Sequence, residues 1–157
     1  MEYASKAVEN SGTSVGLLCP EGVVLVTEKL LGNKMLVPGS SRRIHGIGHH
    51  AGVSVTGFVS DGRQLVNRGR EEASNYVETY GIKSPPSVLA SRLSSFTHYF
   101  TLHGALRPFG ATTMMASYDE DMKKYELHMI EPSGQSFKYY GCAAGKGRQG
   151  AKVRGRA

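Results

Sequence analysis

Short apolar runs bounded by turn formers occupy both ends of the chain, and two long helical periodicities occupy its middle. Thr13 to Leu18 and Val23 to Glu28 flank Cys19-Pro20-Glu21-Gly22, where proline and glycine suit a tight turn, so the pattern predicts a β-hairpin. An irregular stretch around Pro38-Gly39-Ser40-Ser41 follows. Ala51 to Val59 then sets Val53 and Val55 among small residues with the alternation of a strand.

From Asp61 the period changes. Leu65, Gly69, Ala73, Tyr76 or Val77, and Tyr80 recur every three to four residues, which predicts a helix over Asp61 to Tyr80. Asp61 is its expected cap, with Gln64 completing a capping box, and Gly81 its expected stop. A second helix is expected from Ser84 to Leu106. Pro85 and Pro86 fall in its first turn, where a missing N–H costs nothing, and Leu89, Leu93, Phe96 and Phe100 form its buried stripe. The two helices should pack as an antiparallel pair on a sheet. Past Arg107-Pro108-Phe109-Gly110 the period returns to two: strands are expected at Thr112 to Ser117, Tyr125 to Ile130, Gln135 to Tyr139 and around Cys142 to Ala144. Turns at Asp119 to Lys123 and Glu131 to Gly134 separate them, and Gly145 leads toward a further helix. Strands, a helix pair and strands again make a mixed α+β domain, with no repeat or linker to divide residues 1–157.

Composition narrows the function classes. With 39% apolar residues in 157, the chain can bury a real core. Lys and Arg exceed Asp and Glu by 19 to 13, but Lys146, Arg148, Lys152, Arg154 and Arg156 crowd into the last residues, so the remainder is nearly neutral. That basic tail has no interleaved aromatic platform, which argues against nucleic-acid binding. The two cysteines, Cys19 and Cys142, lack metal or disulfide spacing and suit a reducing compartment. No apolar run is long enough to span a bilayer, and the first residues lack a signal-peptide core.

Candidate chemistry is sparse. His49-His50, read as strand neighbours, would point to opposite faces and could not share an ion, so they are read as ordinary polar residues. Cys142 is read as a buried strand cysteine. No motif implies a cofactor or a metal.

Several words in this order resemble one family. Glu2-Tyr3-Ala4, Lys6-Ala7-Val8-Glu9-Asn10, Gly16 with Gly22-Val23-Val24 and Glu28-Lys29, and Gly57 with Asp61 lead the series. Arg70-Glu71-Glu72-Ala73-Ser74-Asn75, Arg107-Pro108-Phe109-Gly110, Pro132-Ser133-Gly134 and Gly145-Lys146 with Arg148-Gln149 and Ala151-Lys152 complete it. Together they resemble the proteasome alpha subunits over essentially the whole chain. Ala7 to Asn10, Arg70 to Asn75 and Tyr139 to Ala143 look most like the eukaryotic alpha type-three class, which holds the seventh ring position.

The resemblance implies an αββα sandwich of the N-terminal nucleophile hydrolase type. It also implies that the chain is truncated at both ends, with the second helical layer and last strands largely missing, the gating tail and helix lying before Glu2, and an apolar sheet face left open. The implied function is a non-catalytic subunit of the 20S outer ring, supporting assembly, substrate entry and docking of regulatory particles. Its implied partners are other alpha subunits in a seven-membered ring, beta subunits and regulatory particles, in the cytoplasm and nucleus. A fragment that does not assemble and a basic-tail nucleic-acid binder are the alternatives.

Beta subunits of this family use an N-terminal threonine whose free amine acts as base. Aligned through Gly16 and Gly22, Gly12 falls where that nucleophile would be, Glu28 where an aspartate would be, and Arg43 where a lysine would be. The resemblance therefore implies no catalysis. It places Arg43 where alpha subunits bind the C-terminal carboxylate of a regulator, with Ser11, Gly57 and Phe58 around it; the competing reading of Arg43 is a solvated surface charge. The first long helix faces a neighbouring ring in this family, which makes Arg68, Arg70, Glu71, Glu72, Tyr76 and Tyr80 candidate inter-ring contacts.

Overall fold

The computed structural model describes residues 1–29, 32–37 and 39–154, with side chains through Ala151. Pro38, and the side chains of the basic tail beyond Ala151, lie outside the described residues. The expected hairpin forms: β1 (Ser14–Cys19) pairs antiparallel with β2 (Gly22–Thr27), Cys19 opposite Gly22. Beyond it come β3 (Ile44–Gly48) and β4 (Ala51–Gly57), then helices α2 (Val59–Tyr80) and α3 (Pro86–Leu102). Strands β5 (Ala111–Asp119), β6 (Lys124–Ile130), β7 (Ser136–Lys138) and β8 (Gly141–Ala144) follow. Helix α1 (Glu2–Glu9) precedes the hairpin and α4 (Arg148–Arg154) follows β8.

These strands form two antiparallel sheets, one ordered β2-β1-β8 and the other β3-β4-β5-β6-β7. Alternation along β6 decides what lies where. Leu127 and Met129 point toward the three-stranded sheet and pack with Met114, Cys142 and Ala144. Ile130 points the other way, into a core with Val53, Val55, Leu65, Leu89 and Leu93 beneath the helix pair. Leu89, Met114, Met115 and Leu127 are fully buried, and each contributes about 1.5–3 kcal/mol relative to an exposed side chain. The layers run helices, sheet, sheet, with α4 packed against β8. This is the expected α+β architecture. On the open side of the three-stranded sheet, Leu17, Val24 and Val26 remain exposed.

Helix α2 ends as its sequence predicts, with Gly81 in the left-handed conformation at φ 72° and its N–H on Val77 O. Helices α2 and α3 are antiparallel, since Arg92 meets Glu72 and Tyr76 while Arg68 meets Phe96. Three expectations need correction, and one helix was not foreseen. Asp61 is not a cap: α2 starts at Val59 after an extended Phe58, and no side chain caps it. Helix α3 stops at Leu102, short of Leu106, because His103 turns extended and Gly104 follows. His49 and His50 sit in the turn between β3 and β4 rather than on a strand. The first residues fold as α1, an unforeseen helix supported by a Lys6–Glu2 pair at i,i+4.

Candidate functional site

The hairpin entrance holds the positions aligned with a catalytic centre. Thr13 donates its backbone N–H to Glu28 Oε2 at 3.0 Å, and Glu28 returns its own N–H to Thr13 O at 2.7 Å. The Thr13 hydroxyl oxygen accepts the Gly147 N–H at 2.9 Å, which ties the hairpin to the start of α4. A Cβ at Gly12 would lie 2.7 Å from Glu28 O, so the backbone itself leaves no room for a side chain there. Beneath this entrance, Ser14, Thr27 and Ser54 form a hydroxyl chain at 3.0 and 2.7 Å that bridges the two sheets. The hydroxyls satisfy one another where unpaired polar groups would be costly. Sequence reasoning missed this chain, because Ser54 belongs to a different sheet.

Arg43, Gly57 and Phe58 meet at the end of β4. Arg43 Nη1 donates to Gly57 O at 2.8 Å, and burial draws the guanidinium below its ordinary pKa, yet it stays charged. Gly57 has φ 118°, and a Cβ there would stand 2.2 Å from Gly110 O. Phe58, 54% exposed, donates its N–H to Gly110 O at 2.9 Å. Ser11 is held differently, with its hydroxyl on Val8 O at 2.8 Å and its carbonyl accepting the Lys146 N–H. Arg43, Gly57 and Phe58 thus form one corner, while Ser11 belongs to the junction of α1 and α4.

The helix pair divides its candidate residues into two sets. Glu72 is buried in the seam, bonded to Arg68 across one turn and to Arg92 Nη1 of α3 at 2.9 Å. Arg68 also lies 3.6 Å from Glu71 and stacks over Phe96, and Arg92 stacks over Tyr76. Glu72 therefore faces its own chain, whereas Arg70, Glu71 and Tyr80 are exposed. Tyr76 and Tyr80 pack ring to ring at 4.5 Å. A groove of about 450 Å³ lies between the helices, lined by Arg68, Glu72, Ser91, Arg92, Phe96 and Tyr99 among others.

At the other end of α2, Asp61 is buried and accepts both Arg107 Nη1 and Nη2 at 2.7 Å and the Gly110 N–H at 2.8 Å. The Arg107 hydrogen bonds hold its carboxyl below the usual range against the opposing effect of burial. His50 Nε2 lies 3.0 Å from Ser84 O, so it serves the loop between the helices.

Residues 8–153 match the proteasome subunit family. Over 153 residues the chain is 50% identical to proteasome subunit alpha type-3 of Spinacia oleracea, covering 98% of this chain and 61% of that protein. Identity is 51% over 153 residues to proteasome subunit alpha type-3 of Acanthamoeba castellanii, covering 98% of this chain and 60% of that protein. It is 44% over 153 residues to the probable proteasome subunit alpha type-7 of Saccharomyces cerevisiae, covering 98% and 52%. The chain spans about three-fifths of the length of the alpha type-3 relatives it matches.

Proposed function

Since the chain belongs to the proteasome subunit family, we propose that it acts as a non-catalytic, alpha-type building block of the 20S outer ring. Its neighbours would be other alpha subunits in a seven-membered ring, with a beta ring beneath and regulatory particles above, in the cytoplasm and nucleus. Its contribution to ubiquitin-dependent degradation is structural: shaping the ring through which substrates enter.

The observation that carries the non-catalytic reading is the state of Thr13. A threonine nucleophile of this class needs a free amine as its base. The Thr13 nitrogen is a peptide N–H spent on Glu28, and its hydroxyl oxygen is engaged by the Gly147 N–H. Gly12, aligned with the nucleophile, has no space for a hydroxyl-bearing side chain. Purified chain should show no turnover of fluorogenic peptides. Turnover that survives immunodepletion of core particles and disappears in Thr13→Ala would overturn the reading.

Arg43 supports docking of a regulator. Gly57 O fixes one of its nitrogens, and the guanidinium has no carboxylate partner among the described residues, which leaves donors for the end of an incoming tail. In an assembled ring, Arg43→Ala should weaken binding of a regulator's C-terminal peptide; unchanged affinity would leave Arg43 as a surface charge. Of the helix-pair residues, Glu71 and Tyr80 suit contact with the neighbouring ring, Arg70 turns instead to Gly46 O of β3, and Glu72 with Arg68 suits stiffening of the helices that make the contact.

A further inference from the structure

Strand β3 ends the five-stranded sheet, so one of its edges has no strand partner among the described residues. Along that edge the outer side of α2 presents Arg63 and Arg70, seven residues apart, which is nearly two helical turns and about 10 Å on one side of the helix. Arg70 reaches β3 itself, and Arg63 the turn that precedes it. Arg63 Nη2 donates to Ser40 O at 3.4 Å, and Arg70 Nε donates to Gly46 O at 3.0 Å. Arg42 lies just before β3, exposed, and its guanidinium makes no hydrogen bond among the described residues.

His45 reports the local field. Burial lowers its proton affinity first, Arg42's backbone carbonyl opposes this, and Arg70, Arg63 and Arg42 all lower it further. Three cationic side chains thus bear on His45. Among the described residues, none of Arg42, Arg63 and Arg70 takes part in an ion pair. The acids nearest these arginines along α2 are engaged elsewhere, Asp61 by Arg107 and Glu71 and Glu72 by Arg68. Protein surfaces ordinarily intersperse both signs of charge, and this edge does not.

We propose that the β3 edge and the outer side of α2 form a docking surface for an acidic polypeptide segment, with Arg42, Arg63 and Arg70 receiving its carboxylates. The arginine spacing corresponds to about three residues of extended chain at ~3.3 Å each. Ile44 on the same strand is exposed, as are Leu36 and Val37 just before the arginines in the chain. Arginine beside aliphatic surface is the chemistry of a protein contact. A single-stranded nucleic acid would find little for its bases to stack on, since Arg42, Ile44, His45, Arg63 and Arg70 offer only one half-buried imidazole. Arg43, between Arg42 and Ile44 in the chain, is bonded instead to Gly57 O at the end of β4, and the inference does not depend on the chain entering a ring.

The test is fluorescence anisotropy of the full chain with a short labelled peptide of alternating glutamate and leucine, at low and high salt. Its glutamine counterpart and a single-stranded oligonucleotide of matched charge serve as comparisons. The acidic peptide should bind in a salt-sensitive way, and Arg63→Gln/Arg70→Gln should weaken it about tenfold or more. Lys123→Gln/Lys124→Gln, which removes the same charge elsewhere, should change affinity less than about twofold. Arg42→Gln alone should weaken binding about threefold and guards against misfolding of the double variant. Absence of acidic-peptide binding, equal loss in both double variants, or tighter binding of the oligonucleotide would each overturn the proposal.

Discussion

Asp61 and Arg107, 46 residues apart in sequence, meet through two hydrogen bonds of 2.7 Å that fasten the first turn of α2 to the segment leading into β5. The carboxylate is buried and also takes the Gly110 N–H, while Arg107 is largely solvated. Asp61→Ala should therefore destabilise by about 2–3 kcal/mol, because it strands a buried N–H and releases the loop. Arg107→Ala should cost less, since Asp61 keeps its backbone donor. Urea unfolding at neutral pH measures both, and equal losses would show that the arginine alone sets the effect.

Acid should act through the same group. Arg107 holds the folded-state pKa of Asp61 below its unfolded value, so the stabilisation is present above the ordinary carboxylate range and is lost as pH falls through the depressed folded value. Asp61→Asn should flatten that part of the stability profile. An unchanged acid limb would assign it to other carboxylates.

Glu72 is the hinge of a second network. It is shared by Arg68 of its own helix and Arg92 of α3, so Glu72→Ala leaves two guanidiniums without their common acceptor and should cost about 3 kcal/mol. Arg68→Ala and Arg92→Ala should be non-additive in a double-mutant cycle. Simple additivity in calorimetric melting would mean that the two pairs are independent.

The hairpin, the helix pair and most strands were legible because their signals are local. Cys19-Pro20-Glu21-Gly22 names its turn, Gly81 names a helix end, and Leu89 with Leu93 marks a buried stripe. Strand β3 was not, since Gly46 and Gly48 blur its alternation and its pairing shifts register between them. Asp61 stood at a plausible cap position, and nothing local announces a partner 46 residues away. The same limit hid the Ser14–Thr27–Ser54 chain and left Glu72 among outward candidates until Arg92 was placed beside it. The Arg43 corner was suggested by family resemblance, and Ser11 was drawn into it although its bonds lie elsewhere.

Close packing of α2 on β4 sets another expectation. A Cβ at Gly62 would fall 2.0 Å from Val55 Cγ1, so Gly62→Ala must push the helix from the sheet and should cost about 1–3 kcal/mol despite its better helix propensity. Gly104, with nothing near, is the control: Gly104→Ala should be close to neutral in the same unfolding assay.

On the open face of the three-stranded sheet, Leu17, Val24 and Val26 are 45%, 49% and 58% exposed, and Leu17 stands directly across from Val24. Apolar side chains grouped in this way favour self-association. The chain should sediment as concentration-dependent oligomers, and Val24→Glu/Val26→Lys should shift it toward monomer. A sharp monomer at all concentrations would contradict this.

Native mass spectrometry of the chain mixed with the other alpha-type subunits tests the ring-subunit account most directly. The expected result is a seven-membered ring whose mass includes one copy of this chain. Rings that form only without it, while a longer alpha type-3 relative enters under the same conditions, would contradict the account.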